Sequence, residues 1–135
     1  LQEGSVWEAA QVGRALDARN LVVVVDVNDF QQTGAVRDVS DGAPVAGRWA
    51  GFGWHTLEVD GHDLPALCSA LDEAVRVDGP VAVVCRTVKG HGAGPLAGKA
   101  VSHFVRLDAA KHQRVKAAMR RAARPVTAVG EADRG

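Results

Sequence analysis

The sequence predicts an α/β fold, a parallel sheet with flanking helices, and three observations carry that expectation. Residues 21–25 (LVVVV) and 81–85 (VAVVC) are wholly aliphatic, the composition of parallel strands buried on both faces. Residues 54–59 (WHTLEV) alternate apolar and polar side chains, as a half-buried strand does. Segments with helical spacing fill the intervals, so the elements follow the α/β order that leaves room for right-handed crossovers. Three strands make a thin sheet, expected to be extended by strands N-terminal to Leu1.

Each element has a local cause. Ser5 and Glu8 form the Ser-x-x-Glu pattern of a capping box, which predicts the start of a first helix. Ala9, Ala10, Val12, Gly13, Ala15 and Leu16 continue it to about Arg19, and Asn20 stops it before the strand at 21–26. Residues 34–44, rich in Gly, Asp and Ser, are expected to be loop, followed by a short helix at 45–51 that carries Trp49. After the strand at 54–59, Asp60-Gly61-His62-Asp63 reads as a turn in which Gly61 supplies backbone freedom and Asp63 caps the next helix. In that helix, 64–77, Leu64, Leu67, Leu71, Ala74 and Val75 recur at three- and four-residue steps until Asp78-Gly79-Pro80 breaks it. Residues 89–100 are a Gly-rich loop, and Asp108 caps a last helix that runs from Ala109 to about Ala123. The domain is expected over residues 1–123, with 124–135 a frayed tail.

The 135 residues fit one domain with a single core. Sixteen basic and sixteen acidic residues cancel, so charge suggests neither a nucleic-acid nor a membrane-surface partner. Lys111, Arg114, Lys116, Arg120 and Arg121 are expected on the solvated side of the last helix. No apolar run approaches the roughly 18 residues of a membrane span. The two cysteines, Cys68 and Cys85, are expected as buried thiols, and the cytoplasm is the expected compartment.

Residues 26–34, D-V-N-D-F-Q-Q-T-G, hold most of the functional information. An Asn two residues past a buried strand stands where open α/β sheets bind ligands, outside the carboxyl ends of their strands. Its amide oxygen is a hard neutral donor suited to Mg²⁺, and a backbone carbonyl two residues on can share the ion. Together with L-Q-E-G-S-V-W-E-A-A at 1–10, F-G-W-H-T-L-E-V-D-G-H-D at 52–63 and R-T-V-K-G-H-G at 86–92, this segment resembles the diphosphate-binding domain of the transketolase family. Ser102-His103 falls where that family places a histidine, and the likeness extends to about Leu107. The family's metal motif is G-D-G, a helix, a strand, then Asn. The chain begins after the place of the G-D-G, so the front of that domain is expected to be missing.

The resemblance implies a partial thiamine-diphosphate-binding fold and transfer of a two-carbon ketol unit between sugar phosphates. It implies that Asn28 ligates Mg²⁺ and touches the diphosphate of thiamine diphosphate. Phe30 would offer its backbone carbonyl to the same ion. His103 would reach both diphosphate and sugar as the catalytic histidine, and Glu3 and Glu8 would lie near a dimer interface. A companion domain or subunit would carry the pyrimidine-binding site, leaving this chain alone inactive. Gln32 and Thr33 replace the family's usual apolar residue and Asp, and Phe104 follows His103 where Gly is usual. Those departures leave open a related enzyme, such as a deoxyxylulose-phosphate synthase or a specialised-metabolism transketolase, and a non-catalytic module that completes an interface. Plainer readings stand beside these: Asn28 as a turn former, His103 and His91 as loop histidines, and Asp60 with His62 as a structural turn. Lys89-Gly90-His91-Gly92 lacks P-loop spacing, and Trp7, Trp49 and Trp54 read as core or interface anchors.

Overall fold

The computed structural model describes residues 1–40 and 44–123. The elements are α1 (Gly4–Ala15), β1 (Val22–Val27), β2 (Phe30–Gln31), β3 (Gly34–Ala35), α2 (Val36–Val39), α3 (Val45–Gly51), β4 (His55–Asp60), α4 (Leu64–Ala74), β5 (Val81–Arg86) and α5 (Ala109–Ala122). The expected tail at 124–135 lies outside the described residues.

Among the described residues, β1, β5 and β4 form a parallel sheet in that spatial order. Val22 pairs with Val81 and Asp26 with Cys85, while His55 pairs with Val81 across the other edge of β5. The central strand is the most apolar, and its residues Val81 to Cys85 are all 5% exposed or less. Side chains alternate across a strand, so one face of β5 serves each helical layer. Ala82 meets Ala10 of α1, Val25 of β1, and Trp49 and Trp54. Val81, Val83 and Cys85 meet Ala70 and Ala74 of α4. The fold is thus a parallel α/β sheet with helices on both faces.

An aromatic cluster fastens the first layer. Trp49 and Trp54 meet edge to face with ring centroids 4.8 Å apart, and Trp7 lies 5.6 Å from Trp49. The Trp54 indole N–H donates to the Ala10 carbonyl at 2.8 Å, which ties α1 to the residue preceding β4. The Trp49 indole N–H, also buried, has no acceptor.

Several local expectations need correction. Helix α1 starts at Gly4 with Glu3 in the cap position and no side-chain cap bond, so Ser5 and Glu8 lie inside the helix and form no capping box. It ends at Ala15 rather than near Arg19, because Asp17 takes a left-handed conformation (φ 52°). Arg19 instead binds the carboxylates of Asp17 at 2.7 Å and Asp78 at 2.8 Å. Residues 34–44, expected as loop, contain β3 and α2. The helix after Asp63 stops at Ala74, three residues short of the expected end. Cys68 is exposed, while Cys85 is buried as expected. The caps assigned to Asp63 and Asp108 do form, accepting from the N–H groups of Ala66 at 3.0 Å and Lys111 at 2.7 Å.

Candidate functional site

Strand β1 leaves the sheet at Val27, and the chain reverses over the next three residues. The Asn28 Oδ1 accepts the Phe30 N–H at 3.0 Å, an Asx turn that bridges Asp29. Asp29 takes φ 63°, left-handed geometry that Asp tolerates better than most side chains. Its carbonyl accepts the Val36 N–H at 2.9 Å, which closes the small β2–β3 hairpin against the start of α2.

A cleft of about 710 Å³ opens at this carboxyl end of the sheet. Asp26, Asn28 and Phe30 line it on the β1 side, and Arg37, Arg48 and Arg86 are also among its lining residues. The Arg86 Nη2 also binds the Glu58 carboxylate at 2.6 Å. The Arg48 guanidinium stands over the Trp7 ring at 5.9 Å from its centroid.

The Asn28 amide is held at both ends, for its Nδ2 donates to the Asp26 Oδ2 at 2.7 Å. The other Asp26 oxygen accepts the Thr87 hydroxyl, which stands just past β5. The Thr87 N–H in turn donates to the Val27 carbonyl at 3.1 Å. An amide oxygen has two lone pairs, so Oδ1 keeps one after bonding Phe30. Asn28 and the Phe30 carbonyl are oxygen donors of the hard, neutral class that suits Mg²⁺. Among the described residues no three His, Cys, Asp or Glu side chains cluster to hold a metal by themselves.

The predicted site residues do not all converge. Asn28 and Phe30 share the cleft wall, whereas His103 is not part of its lining. His103 is exposed at the end of a 3₁₀ turn, Ala100–His103, that abuts β2. His91 lies elsewhere: its ring stacks on His62 with centroids 3.8 Å apart. The His62 Nε2 accepts the Val88 N–H at 2.8 Å, and the His62 backbone N–H donates to the Asp60 carboxylate at 2.9 Å, so the turn at 60–63 is tied to the loop after β5. Gly61 serves there by size rather than by backbone freedom. A Cβ on it would lie 2.6 Å from Thr87 Cγ2 and 3.1 Å from Cys85 Cβ. Burial pushes the Cys85 thiol up, and the Asp26 carboxylate pushes it further, so Cys85 is no thiolate nucleophile at neutral pH.

Sequence reasoning passed over Asp26 and Thr87. Strand alternation places Asp26 on the same face as Asn28, a signal present in the sequence. The Asp26–Thr87 bond spans 61 residues, and only the parallel pairing of β1 with β5 creates it.

Comparison with known proteins agrees with this architecture. The family model described as "Transketolase, thiamine diphosphate binding domain" matches residues 1–127. A 6-deoxy-6-sulfo-D-fructose transketolase subunit from Clostridium sp. (strain MSTE9) is 37% identical over 108 residues, which cover 78% of this chain and 38% of that protein. Human transketolase is 37% identical over 99 residues, covering 68% of this chain and 14% of that protein. The crystal structure of transketolase from Campylobacter jejuni superposes with a TM-score of 0.78 at 27% identity, over 86% of this chain and 18% of that one. The chain therefore spans well under half the length of these relatives. Among the described residues, no helix is long and apolar enough to cross a membrane. With the family model spanning nearly its whole length, this chain belongs to the transketolase family and matches that family's thiamine diphosphate binding domain.

Proposed function

We propose that this chain supplies the diphosphate-binding end of a Mg²⁺–thiamine diphosphate centre that transfers a two-carbon ketol unit between sugar phosphates. The observation that supports the reading is the Asn28–Phe30 turn, in which the amide of a cleft-lining Asn28 is held in one orientation beyond β1. Asn28 Oδ1 and the Phe30 carbonyl would hold the metal, and the arginines of the cleft wall favour an anionic occupant. His103 belongs to the diphosphate and sugar side of the centre, from a segment that abuts β2. An imidazole there donates to a phosphate oxygen or shuttles a proton at a substrate hydroxyl. When bound, thiamine diphosphate supplies the electron sink that C–C cleavage of a ketose needs.

A companion domain or subunit completes the centre. Two observations support this: the relative described as a subunit is matched over 38% of its length, and β1 is an edge strand of the described sheet with Val24 57% exposed. An unpaired strand edge is a ready surface for another strand or chain. A second reading, favoured by likeness to the sulfofructose transketolase subunit, has the same reaction on a sugar ending in a sulfonate.

The test is ketol transfer by the chain combined with a polypeptide carrying the pyrimidine half of the site. A ketose phosphate or 6-deoxy-6-sulfo-fructose serves as donor, with an aldose phosphate as acceptor. Transfer that requires both polypeptides and Mg²⁺–thiamine diphosphate supports the reading, and the better donor decides between phosphate and sulfonate. Cofactor binding without transfer from any ketose would make the chain a non-catalytic module.

A further inference from the structure

We infer that Asp26 is a positioning residue which fixes the direction of the Asn28 amide, with Thr87 as its clamp. The inference rests on the reading of Asn28 as a cofactor-site residue. A side-chain amide has two ends of nearly equal size, and rotation by half a turn exchanges the oxygen for the NH₂ group. Only the oxygen can meet a cation or accept the Phe30 N–H. The Asp26 carboxylate, an acceptor only, bonds Nδ2 at 2.7 Å and has nothing to offer the reversed amide. This bond to an ionised acceptor is of the stronger kind, and it draws electron density toward Oδ1. The Phe30 N–H holds that same oxygen at 3.0 Å from the other side.

The second Asp26 oxygen accepts from Thr87, so the carboxylate cannot swing away without breaking a bond to the adjoining strand's exit. The register that pairs Asp26 with Cys85 brings Thr87 alongside, and the Thr87 N–H to Val27 bond keeps it there. Asp26 thereby links the β1 exit to the β5 exit at the cleft. Each of its oxygens carries a hydrogen bond within the protein, one to Asn28 and one to Thr87.

Two readouts test this in the assembled protein. The first is hydrogen exchange of the Asn28 side-chain NH₂, followed by ¹⁵N NMR and assigned with Asn28→Ala; it needs no cofactor. The second is the affinity for Mg²⁺–thiamine diphosphate. Asp26→Ala should abolish protection of the Asn28 NH₂ and weaken the cofactor by about 10- to 100-fold, the usual scale for partners that orient a ligating side chain. Asp26→Asn keeps an acceptor for Nδ2 and should retain both protection and most of the affinity. Thr87→Val should fall between. Unchanged NH₂ exchange in Asp26→Ala would overturn the inference, as would equal affinity losses in Asp26→Asn and Asp26→Ala, which would mean that the charge acts directly. If Asn28→Ala binds the cofactor like the parent, the cofactor reading fails separately, and the exchange readout still decides the Asp26 contact.

Discussion

Asn28 closes the turn at Asp29 with its side-chain oxygen and is at the same time a lining residue of the cleft. The turn-former reading and the ligand reading are therefore compatible. Asn28→Ala in the assembled protein should weaken Mg²⁺–thiamine diphosphate by about 10- to 100-fold, since a bond to a charged group contributes about 1.5–3 kcal/mol. Phe30→Leu keeps the backbone carbonyl and should change affinity far less; calorimetry on the two folded variants compares them. For the histidines, His103→Ala should lower kcat and raise KM for the ketose donor, and His91→Ala should do less, because its ring is engaged in a stack on His62 and its place in the Gly-rich loop has the weaker family resemblance. Steady-state kinetics with one donor checks the order, and a larger loss in His91→Ala would move the active-site histidine to the loop. Asn28 and Phe30 stood out as candidates because strand, turn and donors are contiguous in sequence, and both line the cleft. His103 became a candidate only through resemblance, since nothing local marks one loop histidine above another, and it is not part of the cleft lining.

At the level of elements, β5 announced itself because burial on both faces leaves no room for polar residues, as in Val81 to Cys85, whereas the equally aliphatic β1 is buried less than its composition predicted, with Val24 exposed. Helix ends were harder to read. The pattern at Ser5 and Glu8 promised a cap, but the helix starts one residue before Ser5, which takes both side chains out of capping position. Asp63 and Asp108 were read correctly because each directly precedes its helix. The two buried tryptophans give a stability prediction. Trp54→Phe breaks the indole bond to Ala10, whereas Trp49→Phe removes a buried N–H that has no acceptor. A satisfied hydrogen bond contributes about 1 kcal/mol and an unsatisfied buried donor costs about 1–3 kcal/mol, so Trp54→Phe should be the more destabilising in urea unfolding. Helix α5 gives a pH prediction. The Lys111 N–H bonded to Asp108 holds that carboxyl below its usual value. A depressed carboxylate stabilises the folded state above its unfolded value of about 3.9, and this is lost as pH falls through the folded value. Amide exchange in the first turn of α5 should thus lose protection below about pH 4, and Asp108→Asn, which still caps, should remove that pH dependence.

For the whole molecule, the described residues form a complete hydrophobic sandwich around β5 but an open edge at β1. The parallel order was legible from the succession of strands and helices. The coupling of both strand exits at the cleft, through Asp26 and Thr87, was not, because register is set by three-dimensional pairing. The two donors proposed for the ion, Asn28 and the Phe30 carbonyl, are neutral, and a doubly charged ion needs more than an amide, a carbonyl and water. The chain by itself is therefore expected to bind Mg²⁺–thiamine diphosphate poorly, and its companion to complete the site. Calorimetric titration of Mg²⁺–thiamine diphosphate tests the Asn28 site most directly, run on the chain alone, on the assembly with its companion, and on the assembly carrying Asn28→Ala. The expected result is saturable binding in the assembly, little or none in the isolated chain, and a marked loss with Asn28→Ala. Micromolar or tighter binding by the isolated chain, or parental affinity in the Asn28→Ala assembly, would contradict it.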